Sequence, residues 1–293
     1  MDVMIIGNPV AGTGKTVQRV QELVRILESR GHKVEVFFTG KPGDAFDRAG
    51  TIRENVNRIV IAGGDGTVNE VLNGLPDPSQ IPILHMPTGT ANQLAHHLCL
   101  PSRPEPFAAV VESGTVTKVD MGLVGSHRFL LQVSAGFDAL VTKIIHDGPK
   151  RSSGYFGYAV PILKSLGHRL PNNLDVSIDG GRKLPGGTVM IMKVRKYGGV
   201  FVFSDAARLD SGQFDICLFR KNTIPHLFMY AFAGLTRLTW TVPGITHLRG
   251  TRVRIESSEP VPVQIDGTYY GTTPVEIELR ASIVPVVVPP KKT

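Results

Sequence analysis

Residues 63–74 read GGDGTVNEVLNG, and this stretch decides the fold of the first half of the chain. It follows RIVIA (58–62), a short apolar run typical of a buried parallel strand. We expect the turn to lead into a short helix from Val68. A strand, a glycine-rich turn and a helix N-terminus together direct backbone N–H groups outward, where the helix dipole favours an anion. The stretch therefore predicts a phosphate-binding loop, whereas a lone GGxG would fit an ordinary tight turn equally well.

Asp65 stands among the glycines of this loop. An acid beside bound phosphates usually faces a metal ion or a transferable proton, so Asp65 is a candidate for catalysis as well as for binding. Close approach of a phosphate also predicts that Gly64 and Gly66 must lack a β-carbon. The candidate nucleotide-binding residues of this stretch are Gly63, Gly64, Asp65, Gly66, Thr67, Asn69 and Glu70.

The composition is that of a globular enzyme. A chain of 293 residues allows two domains, because single cores stop growing at roughly 250–300 residues. Lys and Arg number 32 against 25 Asp and Glu, and the net charge of +7 suits an anionic ligand or an anionic membrane surface. The sequence has no Lys/Arg block or basic–aromatic stripe, so we expect no nucleic-acid partner. Cys99 and Cys217 stand in unrelated contexts, which indicates a reducing cytoplasm.

Neither a signal peptide nor a membrane span is expected. The N-terminus MDVMIIGNP reads as a strand that enters a turn, and it has Asp2 where a signal peptide would be basic. The longest apolar stretch, 224–240, is short for a span and includes His226 and Arg237. The sequence therefore predicts a cytoplasmic protein without a transmembrane segment. The stretch reads as an apolar helix, and packing on the second domain is favoured over dipping into a membrane.

The order of the elements divides the chain near residue 125. Before it, apolar strand-like runs alternate with helical patterns, which predicts a parallel sheet with helices on both faces and a ligand at the carboxyl ends of the strands. The predicted strands are 3–7, 33–38, 58–62 and 81–87, and the predicted helices are one that Gly31 stops, one around 44–56, one from Val68 and one from Ala91.

From about residue 127 the runs become short, alternating and β-branched, which predicts an antiparallel sheet or sandwich. The fold class is therefore α/β, with an N-terminal parallel-sheet domain (1–125) followed by a domain of antiparallel strands (126–293), which form a single sheet or a sandwich. The role of the C-terminal tail stays open, with a return to the first domain as one option. The predicted strands are 174–179, 188–194, 214–219, 251–257, 261–266 and 274–280, with helical insertions near 155–169 and 224–240.

Three more loops follow strands of the first half. In NPVAGTGK (8–15), glycines let the backbone approach a ligand and Lys15 can reach a phosphate, but the spacing is not that of a Walker loop. Taken alone, this motif favours a capped strand–helix loop. In PTGTANQLA (87–95), N-capping explains Thr90 as well as ligand binding does. For Thr39, turn chemistry and nucleotide contact remain equal alternatives. These loops add Asn8, Lys15, Thr39 and Thr90 to the nucleotide-binding candidates.

Together these loops resemble the diacylglycerol kinase catalytic domain, in the bacterial lipid kinase branch that is related to sphingosine kinases. The family fold, an α/β nucleotide-binding domain followed by a β-sandwich, agrees with the division above. The matching motifs occur in the family's order and span nearly the whole chain: NPVAGTGK (8–15), TGKPGDA (39–45), GGDGTVNEVLNG (63–74), PTGTANQLA (87–95), VDMG (119–122), SAGFDA (134–139), LDSGQFD (209–215) and VQIDG (263–267).

The resemblance implies phosphorylation of a lipid hydroxyl by ATP with Mg²⁺, and peripheral contact with the membrane that holds the lipid. On the matching positions it places ATP against Thr39, the loop Gly63–Asn69 and Thr90. The apolar helix within 224–240 is then the first place to look for an interfacial surface. The residues do not show which lipid is used, and they leave the oligomeric state open, a dimer included.

Two positions depart from the family's pattern. The family reads DGE after the penultimate sandwich strand, where proton abstraction is assigned, and this chain keeps Asp266 but has Thr268 in place of the glutamate. Asp266 is therefore the candidate base, and a turn aspartate between strands is the alternative. The family's structural Mg²⁺ site uses the second acid of a DDG turn with nearby carbonyls. Here the turn reads Asp210-Ser211-Gly212, and serine is a poor ligand for a hard cation.

Asp65, Asp120 and Asp210 are the candidates for a metal or for water organisation, although Asp120 alone also fits a strand-end cap. Two other functions compete with a lipid kinase. An NAD kinase shares GGDGT and the two-domain layout, but no second glycine-rich dinucleotide segment is found. A catalytically weakened lipid- or nucleotide-binding homologue would explain Thr268 and Ser211.

Overall fold

The computed structural model describes residues 1–53, 55–148, 164–167 and 173–290. The chain forms two compact units, one of Met1–Asp120 with Ser282–Thr293 and one of Met121–Ala281. The division falls at Asp120, slightly before the boundary at 125 that the sequence suggested. The C-terminal segment belongs to the first unit.

The first unit is built from strands that alternate with helices. Its parallel strands have the order β2-β1-β3-β4-β18, and Ile5 pairs with Val36 on one side and Val60 on the other. The elements from residue 1 to the start of the second unit are β1 (Asp2–Gly7), α1 (Thr16–Ser29), β2 (Lys33–Phe38), α2 (Asp44–Ala49), β3 (Arg58–Gly63), α3 (Asp65–Gly74), β4 (Ile83–Pro87), α4 (Gln93–His97), α5 (Pro104–Ser113) and β5 (Thr115–Val124).

Helices cover both faces of this sheet, as predicted. On one face, α1 and α5 pack on alternate strand residues in a core that includes Leu23, Phe107, Ile5 and Val60. The residues between them, such as Ile6, are also fully buried and point to the opposite face. The sheet is therefore buried on both sides, which explains its nearly continuous apolar strands.

The second unit is a sandwich of two antiparallel sheets, as predicted. One sheet has the order β14-β13-β10-β7-β16-β17, and the other contains β18, β15, β8 and β9. Inward side chains of both sheets, among them Val133, Ile191, Val176 and Ile255, share one core. Its elements are β6 (His127–Phe129), β7 (Gln132–Ala135), α6 (Phe137–Asp147), β8 (Leu174–Ile178), β9 (Leu184–Gly186), β10 (Thr188–Met192), β11 (Lys196–Tyr197), β12 (Phe201–Val202), β13 (Phe214–Phe219), α7 (Ile224–Thr236), β14 (Ile245–Gly250), β15 (Arg252–Ser257), β16 (Pro262–Ile265), β17 (Thr268–Thr272) and β18 (Val275–Val288).

The last strand, β18, carries the chain back to the first unit. Its first half pairs with β15, where Glu278 lies opposite Arg252. Its last residues pair in parallel with β4, where Val286 lies opposite Ile83. One strand thus ends the sandwich and completes the parallel sheet.

Several elements differ from the sequence-based expectation. Helix α2 ends at Ala49 instead of near Val56, whereas α3 begins before Val68 and α4 begins after Ala91. Helices α5 and α6 and several short strands were not predicted. The expected helical insertion at 155–169 lies largely outside the described residues, of which 164–167 are the exception. Within the described part of the chain, each helix is too short or too polar to span a bilayer.

Candidate active site

Three loops of the first unit meet at the carboxyl ends of β1, β3 and β4, the edge at which parallel sheets bind ligands. Thr16 Oγ1 at the start of α1 donates to Thr88 Oγ1 over 2.9 Å. Asn8 Nδ2 lies 3.5 Å from Thr67 Oγ1. The loop after β1 is therefore joined to the loops after both β4 and β3.

Glycines let these backbones touch. A β-carbon on Gly12 would lie 2.2 Å from the carbonyl oxygen of Thr88, and one on Gly89 would lie 2.4 Å from the Cα of Gly64. Both distances are far inside van der Waals contact. Gly12 and Gly89 are therefore required by the packing of the loops on one another.

Gly64 and Gly66 are not required in this way. A β-carbon on Gly64 would meet the Cα of Gly89 at 3.5 Å, an ordinary contact, and one on Gly66 would have no described atom within 4 Å. Neither residue has a positive φ. A ligand that approaches the backbone would explain glycine at both positions. Gly64 is also the N-cap residue of α3 and has no side chain to cap its first amides, which leaves them suited to an anion.

Asp65 holds the loop after β4 to the loop after β3. Its Oδ2 accepts the Gln93 N–H at 2.9 Å and its Oδ1 accepts the Leu94 N–H at 3.1 Å, so the carboxylate caps α4. His85 is fully buried beside it, and burial lowers the pKa of His85. We assign its Nε2–H as donor to the Gly63 carbonyl, 3.0 Å away. Both side chains fix the glycine-rich loop, and sequence reasoning missed His85.

The other nucleotide-binding candidates of the first unit lie at several places. Thr90 is exposed, and the N-cap residue of α4 is Asn92, so capping does not account for Thr90. Thr39 follows β2 at the same edge of the sheet, with its N–H on the carbonyl of Gly7 at 2.9 Å. Lys15 is exposed at the start of α1.

Asn69 and Glu70 have contacts of their own along α3. Glu70 accepts the N–H of Gly43 at 3.3 Å, at the start of α2. Burial raises the pKa of Glu70, and the N–H groups of Gly43 and Ala45 offset part of this effect. Asn69 Oδ1 accepts from Asn73 Nδ2 at 3.2 Å, one turn further along the helix. The geometry thus gives Glu70 a role in positioning α2.

Asp266 forms the turn between β16 and β17 together with Gly267, with φ of +48° and +83°. Such values are typical of an Asp-Gly hairpin turn. The buried carboxylate of Asp266 accepts the backbone N–H groups of Leu130, Leu131 and Gln132 at 3.3, 3.1 and 2.9 Å. Asp266 therefore anchors this turn to the segment that enters β7, and any reaction at its carboxylate would take place on a fixed group.

Asp138, a second buried acid of this unit, was not among the predicted candidates. It lies in the first turn of α6, and its carboxylate contacts the hydroxyls of Ser134 and Tyr197 and Nε2 of Gln264. Burial raises the pKa of Asp138 to about 6. The sequence signalled this residue only through its place in SAGFDA, because an acid at a helix start is also typical of an ordinary cap.

The two halves of the chain match separate family models. Residues 2–124 match the diacylglycerol kinase catalytic domain, and residues 131–288 match the YegS C-terminal NAD kinase beta sandwich-like domain. The chain belongs to the diacylglycerol kinase family. As a member of the diacylglycerol kinase family it is a kinase, a phosphotransferase with an alcohol group as acceptor.

Similar proteins extend over nearly the whole chain. The diacylglycerol kinase of Bacillus subtilis strain 168 is 28% identical over 298 residues, which cover 98% of this chain and 96% of the relative. A crystal structure from Bacillus anthracis strain Sterne has a TM-score of 0.83 at 24% identity and covers 99% of this chain and 95% of its own. An NAD kinase from Archaeoglobus fulgidus, solved in complex with ATP, has a TM-score of 0.55 at 16% identity and covers 100% of this chain and 94% of its own. Both structures share the fold of this chain.

The turn at which the diacylglycerol kinase resemblance places Mg²⁺ contacts a lysine in this chain. The side chain of Lys193 is fully buried, and its Nζ donates to Ser211 Oγ over 2.9 Å and to the Gln213 carbonyl over 2.8 Å. Asp210 accepts from Arg208 Nε at 3.0 Å, and this contact lowers the pKa of Asp210. A metal ion at this turn would have to displace the ammonium group of Lys193, which is also positively charged. The residues of this turn therefore do not fit Mg²⁺.

Asp120, the other predicted metal ligand, is fully buried and accepts the Ser282 N–H at 2.9 Å. It fixes the point at which the chain returns to the first unit. Among the residues that the structure describes, no three His, Cys, Asp or Glu side chains are grouped so that they could hold a metal ion.

Proposed function

We propose that this protein is a lipid kinase that transfers the γ-phosphate of ATP to a hydroxyl group of diacylglycerol or a related lipid. The observation that carries the proposal is the pair Gly64 and Gly66, which lack a β-carbon although the protein has room for one. Both lie at the N-terminus of α3, where an anion is favoured. The names of the similar proteins support diacylglycerol as the class of acceptor.

The first unit would hold ATP by its phosphates. Phosphoryl transfer depends mainly on positioning and on stabilisation of charge. The amides at the start of α3 would bind the phosphates, and Asp65 would keep the neighbouring loop in place. Mg²⁺ would arrive with ATP and offset the phosphate charge. Asn8, Lys15, Thr39 and Thr90 complete the proposed nucleotide contacts.

Asp266 is the proposed base for this transfer. As the oxygen of the lipid hydroxyl forms its bond to the γ-phosphorus and ADP leaves, Asp266 would accept or orient the hydroxyl proton. A positioned base contributes roughly 10²–10⁴-fold to rate. The three N–H bonds to its carboxylate support this role by removing its freedom to move. Because the acceptor lies in a bilayer, the protein would also contact a membrane surface.

An NAD kinase remains the second candidate, because the fold resembles an NAD kinase that was solved with ATP. Purified protein with ATP labelled in the γ-phosphate, Mg²⁺ and either a panel of lipid alcohols or NAD distinguishes the two. Label in the lipid extract supports the lipid kinase, and label in NADP alone supports the alternative. Label in neither product would refute both.

A further inference from the structure

Helix α7 presents an apolar stripe to the outside of the second unit. Residues spaced three or four apart lie on one face of a helix, and here that face is exposed. Leu238 and Trp240 continue it beyond the end of the helix. The exposed fractions are 45% for Ile224, 66% for Phe228, 63% for Phe232, 57% for Leu235, 50% for Leu238 and 64% for Trp240. We call these six residues the apolar stripe.

The opposite face of the helix is firmly packed. The ring of Tyr230 lies against Phe219 at 4.9 Å between centroids. Gly234 leaves no room for a β-carbon, which would come within 2.9 Å of the Phe203 ring. The stripe is thus held outward by a fixed inner face. Of the fourteen large apolar side chains exposed among the described residues, six belong to the stripe, so this exposure is concentrated rather than scattered.

The charged residues next to the stripe in the sequence have one sign. Between Asp215 and Glu256 the sequence contains no acidic residue. Arg220 and Lys221 are exposed just before α7, and Arg237 is exposed just after it. Among the described residues, none of these three cations takes part in an ion pair. Basic residues at both ends of an apolar helix face match the phosphate layer above the acyl chains of an anionic bilayer.

A second copy of this chain is a poorer fit to the stripe. In a symmetric dimer the same patch meets itself, so the cations of one copy, Arg220, Lys221 and Arg237, would approach the cations of the other. Like charges at such an interface are repulsive. Trp240 also suits a bilayer, because its ring is apolar with one polar edge and such rings prefer the membrane–water boundary.

We propose that α7 and the segment through Trp240 form a docking face that inserts the apolar stripe into the surface of an anionic lipid bilayer. The proposal rests on the proposed function, since it explains how a kinase without a spanning helix among its described residues reaches a lipid acceptor. The inserted residues are apolar and the flanking residues are basic, so binding should require anionic lipid and should weaken with salt.

The single tryptophan of the chain gives a direct test, because Trp240 belongs to the stripe. Vesicles of phosphatidylglycerol and phosphatidylcholine should shift its fluorescence to the blue, and brominated lipid should quench it. Vesicles of phosphatidylcholine alone should do neither. Unchanged fluorescence in the presence of bound anionic vesicles would overturn the proposal, because the protein would then bind by another face.

Vesicle flotation of variants tests the same face. Phe228→Ser/Phe232→Ser and Lys221→Glu/Arg237→Glu should each weaken binding by about tenfold or more. Phe46→Ser/Val116→Ser, which removes exposed apolar residues elsewhere, should bind like the wild type. Equal binding by all variants would refute the docking face. A dimer that Phe228→Ser/Phe232→Ser dissociates, with vesicle binding unchanged, would assign the stripe to a second copy instead.

Kinase assays separate this proposal from the proposed function. Phe228→Ser/Phe232→Ser should phosphorylate a water-soluble short-chain diacylglycerol at the wild-type rate but lose activity on vesicle-embedded diacylglycerol. If the wild type binds vesicles through Trp240 yet phosphorylates neither form, the docking face stands and the lipid kinase fails. If the variant retains full activity on vesicles, the docking face fails and the kinase stands.

Discussion

Adding a single β-carbon at Gly66 should separate the effect on ATP binding from the effect on folding. Alanine is favoured over glycine inside a helix by about 0.5–1 kcal/mol, and a β-carbon here has no described atom within 4 Å. We expect Gly66→Ala to leave the thermal midpoint equal or higher. We expect it to weaken ATP binding by about tenfold or more, because the methyl group would occupy the phosphate approach. Calorimetry and thermal denaturation measure the two effects.

Gly50→Ala is the matched control for that variant. Gly50 follows α2, away from the carboxyl edge of the sheet, and its β-carbon would make ordinary contacts of 3.4 Å or more. Its ATP affinity should stay at the wild-type value. Equal affinity of both variants and the wild type would remove Gly66 from the nucleotide site.

Asp266→Asn tests the proposed base. Asparagine tolerates the positive φ of this turn and keeps one acceptor oxygen, so the fold should survive with a moderate loss of stability. We expect unchanged ATP affinity and a kcat lower by about 100-fold or more. Steady-state kinetics on a lipid acceptor, with the thermal midpoint of the same sample, measure both.

Asp179→Asn controls for loss of a turn aspartate. Asp179 also has a positive φ, is followed by a glycine, and accepts the N–H groups of Thr251 and Arg252 at 3.0 and 2.8 Å. Asp179→Asn should lower the stability of the protein without lowering its kcat. If Asp266→Asn keeps the wild-type kcat as well, Asp266 is a structural turn residue.

Because Asp138 is buried, the free energy of unfolding depends on pH. The pKa of Asp138 is raised to about 6 in the folded protein from 3.8, so the folded state binds more protons than the unfolded state between these values. Stability contributed by the protonated form is therefore lost as pH rises from about 4 through 6. At neutral pH the cost is of the order of 3 kcal/mol.

Asp138→Asn removes this ionisation. Its gain in thermal midpoint over the wild type should grow from pH 4 to pH 6 and then level off. Asp175→Asn, at an exposed aspartate of β8, is the control for the loss of one carboxylate. A difference between Asp138→Asn and the wild type that is constant over this range would contradict the assignment.

At the scale of elements, the turn before β13 contacts a buried cation, the ammonium group of Lys193. We expect free Mg²⁺ and EDTA to leave the thermal midpoint of the nucleotide-free wild type unchanged, because the Lys193 ammonium group contacts Ser211 and the Gln213 carbonyl. Lys193→Ala/Ser211→Asp removes the cation and supplies a carboxylate. Saturating Mg²⁺ should stabilise this variant by about 2–3 kcal/mol.

Lys193→Ala alone controls for the loss of the lysine. It should be destabilised, because the Ser211 hydroxyl and the half-buried Gln213 carbonyl each lose one donor, and Mg²⁺ should not restore it. If Mg²⁺ stabilises the wild type as much as the double variant, the turn binds metal in spite of the lysine.

Helix starts show where sequence patterns are insufficient. Strand β2 and strand β13 have the bounds that their apolar patterns predicted. Helix α4 begins later than predicted because its cap comes from Asp65, which is distant in sequence. Long-range hydrogen bonds of this kind leave no local pattern. The same holds for the buried network of Asp138, whose partners lie in other elements.

At the scale of the molecule, the chain leaves the first unit after Asp120 and returns at Ser282. The carboxylate of Asp120 accepts the Ser282 N–H, so the exit and the return are joined by a hydrogen bond. The order of strand and helix patterns in the sequence predicted both the parallel sheet and the antiparallel sheets. It did not decide where the tail belongs, although β18 passes from the alternating run VEIELR to the apolar run IVPVVV, a change typical of a strand that becomes buried on both faces.

Val287→Asp tests whether the last strand completes the first unit. Val287 is fully buried in the core beside α1 and α5, so an unpaired carboxylate there should cost about 3 kcal/mol or more. We expect faster hydrogen exchange in β3 and β4, with β10 and β13 of the sandwich less affected. Val288→Asp, at the half-buried neighbour, should cost less. Faster exchange confined to the sandwich strands would show that the tail stabilises the second unit instead.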